Sequence, residues 1–179
     1  MAWRQVNVPL VDVENALRAV LADAEPTVKP VLMHLMESGG KRVRPLLTLL
    51  SARLFVAEPS VAIPAAIAAE LIHMATLVHD DVIDKAGTRR GRATVNSLWG
   101  DQVAVLAGDS LLARALVTLV DAGNPAVIRA MAVMLQQMVE GEIWQHANLG
   151  NVDQSEEEYF RRIERKTALF FAACCEAGA

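Results

Sequence analysis

The sequence predicts an all-α fold, a helix bundle forming one domain over residues 1–179. Apolar residues make up 53% of the chain and aromatics only 4%, so Leu, Ala, Val and Met carry the apolar content. Apolar positions recur at helical spacing, and no β-branched run alternates with period two. Gly and Pro separate the periodic stretches. The length is enough for one domain with a real core.

Each element has its own signal. Residues 1–23 contain one amphipathic helix, with Val11, Leu17, Val20 and Leu21 on its stripe and Asp12 near its start. Ala24 to Pro30 is a break carrying Pro26 and Pro30. A short helix from Val31 to Glu37 is stopped by Gly39-Gly40. Pro45 opens the next helix in its first turn, running to about Val56, and Pro59 breaks it. Another helix begins near Pro64 and ends in the acidic segment DDVID. Gly87 to Ala93 reads as a loop. Helices follow from Asp101 to about Asp121 and from Ala126 to about Asn148, separated by Gly123-Asn124-Pro125. Ser155 and Glu158 have capping-box spacing and open a last helix through Tyr159, Ile163 and Leu169. That helix is still apolar and periodic at ALFFAACCEAGA, with Gly178 placed as a cap. There is no internal repeat and no low-complexity linker.

Several classes are disfavoured. The net charge is -4 and no basic stripe interleaves with aromatics, which argues against nucleic acid. The longest apolar stretches are cut by Arg53, Glu70 and His73, so no transmembrane segment is expected. The N-terminus lacks the basic flank, apolar core and cleavage site of a signal peptide. Cys174 and Cys175 are adjacent in an apolar helical run and read as buried free thiols, which fits a reduced, cytoplasmic setting.

The chemistry concentrates between Glu70 and Asn96. Asp80 and Asp84 are four apart and share one helix face, with Asp81 beside them and His73 two turns back on the same stripe. Like charges at this spacing repel on an isolated helix, so a cation is expected among them. Carboxylate oxygens suit Mg²⁺, which takes one or two carboxylates and completes its shell with water and phosphate oxygens. Arg89 and Arg90 follow at once and offer fork-shaped donors for phosphate. Together these groups describe a metal-bridged diphosphate site. Other candidates stay open on residues alone. Lys41, Arg42 and Arg44 fit either a solvated basic surface or a Gly-Gly turn that aims them inward. A single His73 fits a satisfied core histidine, and His79 is less clear still. Lys166 with Thr167 fits an ordinary surface pair, while Asp109 and Glu142 read as structural.

DDVID followed by GTRRGRATVN resembles the first aspartate-rich motif of the trans-isoprenyl diphosphate synthases. GGKRVRP, ELIHMATLVHDD, AGDSLLARAL and RRIERKTALFFAACC match that family in order and at similar spacing, from about Gly39 onward. The similarity is to the long-chain branch. It implies an isoprenoid synthase-type antiparallel helix bundle that condenses isopentenyl diphosphate with an allylic prenyl diphosphate. The implied roles are Mg²⁺ on Asp80 and Asp84, and Asp81 within the same catalytic motif. Arg89 falls on the allylic diphosphate, Lys166 near it, and Lys41, Arg44, His73 and Arg90 on isopentenyl diphosphate. A homodimer or heterodimer is expected. Ala75 and Thr76 are small where bulky residues close the pocket of short-chain enzymes, which implies a medium or long all-trans polyprenyl product. The family's later helices, with a second aspartate-rich motif, have no counterpart here. The resemblance therefore covers an N-terminal part, expected to be inactive alone, and a half-site subunit of a split synthase stays open as the alternative. A class I terpene cyclase is disfavoured by GGKRVRP, since it has no second diphosphate to bind. A ferritin-type carboxylate bundle needs Glu-x-x-His pairs that are absent.

Overall fold

In the computed structural model, residues 9–55 and 58–179 are described. Among them the chain forms nine α-helices and one small hairpin. In order these are α1 (Leu10–Ala22), α2 (Lys29–Glu37), α3 (Val43–Phe55), α4 (Ile63–Ile83), β1 (Thr88–Arg89), β2 (Arg92–Ala93), α5 (Val95–Trp99), α6 (Asp101–Ala122), α7 (Pro125–Ala147), α8 (Glu156–Ile163) and α9 (Leu169–Gly178). A 3₁₀ turn at Pro59–Ala62 leads into α4, and a π-helical turn at Glu164–Ala168 joins α8 to α9.

The bundle is built around α4. Ala65, Ala66, Ala68 and Ala69 occupy one turn and are all buried, so neighbouring helices approach its backbone closely. Leu71, Ile72, Met74, Ala75 and Val78 continue the core below them. A helix apolar on nearly every side belongs inside a bundle. It packs chiefly against α6, and also against α3, α1 and α9. Each fully buried Leu, such as Leu71 or Leu111, contributes about 1.5–3 kcal/mol of transfer free energy.

Most predicted breaks lie where the chain turns. Gly123 closes α6 in the left-handed region at φ 71°, and Asn124 caps α7 by accepting from Ala126 N and Val127 N. Ser155 and Glu158 form a reciprocal capping box at α8. Some expectations need correction. On α1 the inward residue is Val13, while Val11 is 72% exposed, because Val13, Leu17 and Leu21 form the true four-residue stripe. The stretch from Gly87 to Ala93 is a hairpin whose turn, Arg90-Gly91, has both φ angles positive (54° and 77°). Gly178 ends α9 not as a cap but as a close-approach residue: a Cβ there would collide with Thr48 O on α3. The expected end of α3 at Val56 lies outside the described residues.

The expected lack of a membrane-length apolar stretch is also corrected. Ser60–Ile83 and Asp101–Ala122 are both long and apolar enough to cross a bilayer, by length and composition alone. Glu70 lies within the first and is paired internally with Arg42. In that span 67% of the apolar window is buried inside the protein, as expected of a core helix. The second is only 33% buried and leaves Leu106, Leu116, Val117 and Val120 exposed on α6.

Candidate active site

The carboxylates sit at the C-terminal end of α4. The helix terminates with Lys85 in the left-handed region (φ 52°) and a bond from Ala86 N to Asp81 O at 2.9 Å. This stop holds Asp80 half-buried on the last turn and leaves Asp84 exposed as the cap. Asp80 is raised above the usual carboxylate range, first by burial, with Glu142 and Asp84 adding like charge, while Lys166 opposes the shift. A carboxyl crowded by negative groups is a place where a cation would be stabilised.

Asp81 does not join them. It is buried (5% exposed) and accepts from Arg89 Nε at 2.8 Å. Neighbouring residues on a helix are about 100° apart, so Asp81 turns toward the hairpin while Asp80 and Asp84 face the other way. The expected acidic triad is therefore a pair plus a buried anchor. Arg89 spends its Nε on that anchor, and its Nη groups remain for a ligand. Thr94 and Asn96 fix the hairpin's base. Thr94 Oγ1 donates to Ala86 O at 2.7 Å, and Asn96 Nδ2 donates to the same carbonyl at 3.1 Å. Their positioning role was invisible in sequence, because both bonds reach backbone carbonyls.

The basic residues gather on the adjacent flank. Gly40, Lys41, Arg42, Arg44, His73 and Arg90 line a cavity of about 440 Å³. Lys41 is exposed at its mouth. Arg44 is half-buried, with its guanidinium carbon 4.5 Å from the centroid of the Phe170 ring and 5.2 Å from that of Phe171. Its Nε is buried with no hydrogen-bond partner, and burial lowers its pKa. An unsatisfied buried guanidinium N–H calls for an anionic acceptor. Arg90, at the hairpin tip, donates to Gly39 O and so ties the Gly-Gly segment to the acidic end of α4. Arg42 instead turns inward to Glu14 and Glu70.

His73 lines the same cavity, edge-on to Phe170 with ring centroids 6.5 Å apart. Burial first, then Arg44, Arg90, Arg89 and Arg42, drive its pKa down to about 3. The ring is neutral at physiological pH, able to donate one hydrogen bond and accept another. In the unfolded chain it titrates near 6.5. The unfolded state therefore binds more protons between these values. The stability linked to neutral His73 is full above about 6.5 and is lost as pH falls toward 3. Thermal melts across that window should show a falling melting temperature, and His73→Asn should flatten this limb relative to the parent. Equal slopes would exclude His73 as the group responsible.

Lys166 arrives from the other side. It lies on the π-helical turn and pairs with Glu142 of α7 at 2.8 Å, within electrostatic reach of Asp80. Gly141 permits the contact: a Cβ there would stand 2.8 Å from Arg165 Cβ. Glu142, expected to be structural, pairs with Lys166 and acts electrostatically on Asp80. His79 turns to α6: its ring packs on Gly108, and its Nε2 lies 3.1 Å from Val105 O and 3.5 Å from Asp109.

The donor set fits a magnesium ion in part. Asp80 and Asp84 supply hard oxygens on one face, and no three His, Cys, Asp or Glu side chains converge into a protein-only metal cage among the described residues. Two carboxylates with open positions suit Mg²⁺ shared with a phosphate ligand rather than a structural ion.

A helix bundle with an aspartate pair at the end of α4 and a basic cavity lined by Lys41, Arg44, His73 and Arg90 defines a class, and comparison with known proteins names it. The polyprenyl synthetase family model matches residues 25–179, and the chain belongs to that family. It is 44% identical over 166 residues to heptaprenyl diphosphate synthase component 2 of Geobacillus stearothermophilus, covering 93% of this chain and 52% of that protein. The structure matches heptaprenyl diphosphate synthase from Staphylococcus aureus with TM-score 0.90 and 38% identity, over 95% of this chain and 54% of that one. It also matches a polyprenyl synthase from Caulobacter crescentus complexed with calcium and isoprenyl diphosphate, with TM-score 0.92 and 36% identity over 99% of this chain and 54% of that one. The fold is the isoprenoid synthase-type helix bundle, and the chain spans about half the length of these relatives.

Proposed function

We propose that this chain forms the substrate-binding half of a trans-polyprenyl diphosphate synthase, as a single domain over residues 1–179. The observation that carries the reading is the pairing of two features. Asp80 and Asp84 stand at the C-terminal end of α4, with Asp80 within electrostatic reach of Lys166 and Arg89, and Lys41, Arg44, His73 and Arg90 line one basic cavity. In the complete reaction an allylic diphosphate loses its diphosphate, and the alkene of isopentenyl diphosphate attacks the allylic carbon. A proton then leaves and the new double bond forms.

Asp80 and Asp84 would hold Mg²⁺, which offsets the charge developing on the departing diphosphate. The Arg89 Nη groups and Lys166 bind and orient the allylic diphosphate. Lys41, Arg44 and Arg90 bind isopentenyl diphosphate, and neutral His73 donates to it without adding a charge. The apolar wall of α4 and α9 excludes water from the cationic allylic carbon. A second chain covers the apolar face of α6, as homodimer or heterodimer; exposed Leu106, Leu116, Val117 and Val120 support this. Free Cys174 and Cys175 support a reducing, cytoplasmic setting.

The test is to mix the purified chain with Mg²⁺, farnesyl diphosphate and labelled isopentenyl diphosphate. Mg²⁺-dependent binding of farnesyl diphosphate without turnover is the expected result. Absence of binding to either substrate overturns the reading, and polyprenyl products would show that this chain suffices. Product length is set beneath the allylic site. Ala75 is fully buried one turn below Asp80 and Thr76 is half-buried beside it. In an enzyme made complete by its remaining helices, Ala75→Phe should shorten the product by at least one isoprene unit on chromatography. Overpacking there costs about 1–3 kcal/mol, so a melt of the variant accompanies the assay.

A further inference from the structure

Arg42 borders the cavity, yet its guanidinium is turned away from it, onto two carboxylates. It is 9% exposed and takes φ 49°, a left-handed conformation unusual for a residue with a side chain. Its guanidinium is held from two helices. Nε donates to Glu14 Oε2 at 2.8 Å and Nη2 to Glu14 Oε1 at 3.2 Å, a bidentate pair. Nη1 donates to Glu70 Oε1 at 2.8 Å, and Nη2 also lies 3.6 Å from Met36 Sδ. Glu70 is 3% exposed and sits on α4 three residues before His73.

The Gly-Gly backbone rests directly on this cluster. A Cβ on Gly40 would stand 3.0 Å from Arg42 Nη1, 3.1 Å from Arg90 Nη1 and 3.6 Å from Glu70 Oε1. The fork of Arg42 therefore sets the path of the backbone from which Lys41 and Arg44 reach the cavity. Glu14 completes the fork from α1, which lies outside the residues 25–179 matched by the family model.

We propose that Glu14 is a positioning residue for the isopentenyl diphosphate pocket: through Arg42 and Glu70 the N-terminal helix fixes the Gly39–Val43 loop so that Lys41 and Arg44 meet the ligand. This rests on the function proposed above. Its sign separates it from simple electrostatics. Glu14 is an anion near an anion-binding cavity, so Coulomb's law alone makes Glu14→Gln tighten diphosphate binding. Positioning makes the same change weaken it, because Arg42 loses its bidentate partner and the loop loses its fixed path.

The experiment titrates the 179-residue chain with isopentenyl diphosphate by calorimetry, and separately with farnesyl diphosphate plus Mg²⁺. Glu14 is 40% exposed, so the Gln variant retains the fold, and a melt confirms it. The expected result is a roughly five- to tenfold weaker isopentenyl diphosphate Kd, with the farnesyl diphosphate Kd within about twofold. Arg42→Lys, which keeps the charge but loses the fork, should show the same split. Unchanged or tighter isopentenyl diphosphate binding by Glu14→Gln overturns the inference, as does equal weakening of both ligands. A parent chain that binds neither ligand overturns the functional reading itself, and this inference with it.

Discussion

Asp80→Asn should weaken Mg²⁺-dependent diphosphate binding by roughly 100-fold or more, the loss expected when a central electrostatic group is removed. The same variant should melt no lower than the parent. Burial first, and then crowding by Glu142 and Asp84, already push the Asp80 pKa up. Neutralising it relieves repulsion while removing the negative charge that a cation needs. Asp81→Asn should show the opposite balance. Asp81 is buried and its bond from Arg89 Nε joins the hairpin to α4. Removing its charge leaves Arg89 without its partner. Because Arg89 is about a third exposed, water partly compensates and the cost should be about 1–3 kcal/mol. Calorimetry with inorganic diphosphate and Mg²⁺, run beside thermal melts, separates the two. If Asp80→Asn bound as tightly as the parent, the metal site would have to lie elsewhere.

Phe170→Ala should be the most damaging substitution of a single side chain. Phe170 is 1% exposed and fills the space between α9 and α3, so truncation costs about 3–5 kcal/mol. It also removes the ring face under Arg44 and the edge contact to His73. Phe170→Leu distinguishes these losses. It keeps an apolar filling, with most of the packing retained, but offers no π face to the guanidinium. Its stability should fall by less than half as much as that of Phe170→Ala, while isopentenyl diphosphate affinity falls in both. Denaturant unfolding and calorimetry measure the two quantities independently. Unchanged affinity in Phe170→Leu would mean that the ring does not orient Arg44.

The helices were legible because Gly, Pro and caps stand where the chain turns. Gly123-Asn124-Pro125 and Ser155-Glu158 mark boundaries by local chemistry, and local chemistry survives in a sequence. The hairpin was not legible. Strands of two residues carry no period, and Arg90 takes a conformation that usually advertises itself with Asn or Gly. The shared face of Asp80 and Asp84 follows from helical spacing alone. The desertion of Asp81 depends on a partner eight residues later on a different element. Arg42 and Arg44 look interchangeable in GGKRVRP. Only the location of Glu14 and Glu70 sends one inward, and only Phe170 and Phe171 receive the other. Glu142 meets Lys166 across the bundle, a distance no local pattern reports.

The π-helical turn at Glu164–Ala168 has a consequence for the phase of the last helix. On an unbroken α-helix, residues seven apart fall on nearly the same meridian of the helical wheel. Ile163 and Phe170 are seven apart, yet the first is 41% exposed and the second 1%. A wider turn lodges extra chain between them and rotates everything downstream relative to everything upstream. One helical wheel therefore cannot describe both ends. The segment before the turn keeps its own azimuth, with Tyr159, Phe160 and Ile163 toward solvent, while Phe170, Ala173 and Cys174 are dialled into the core. Lys166 sits at the seam between the two phases, where neither wheel would have placed it.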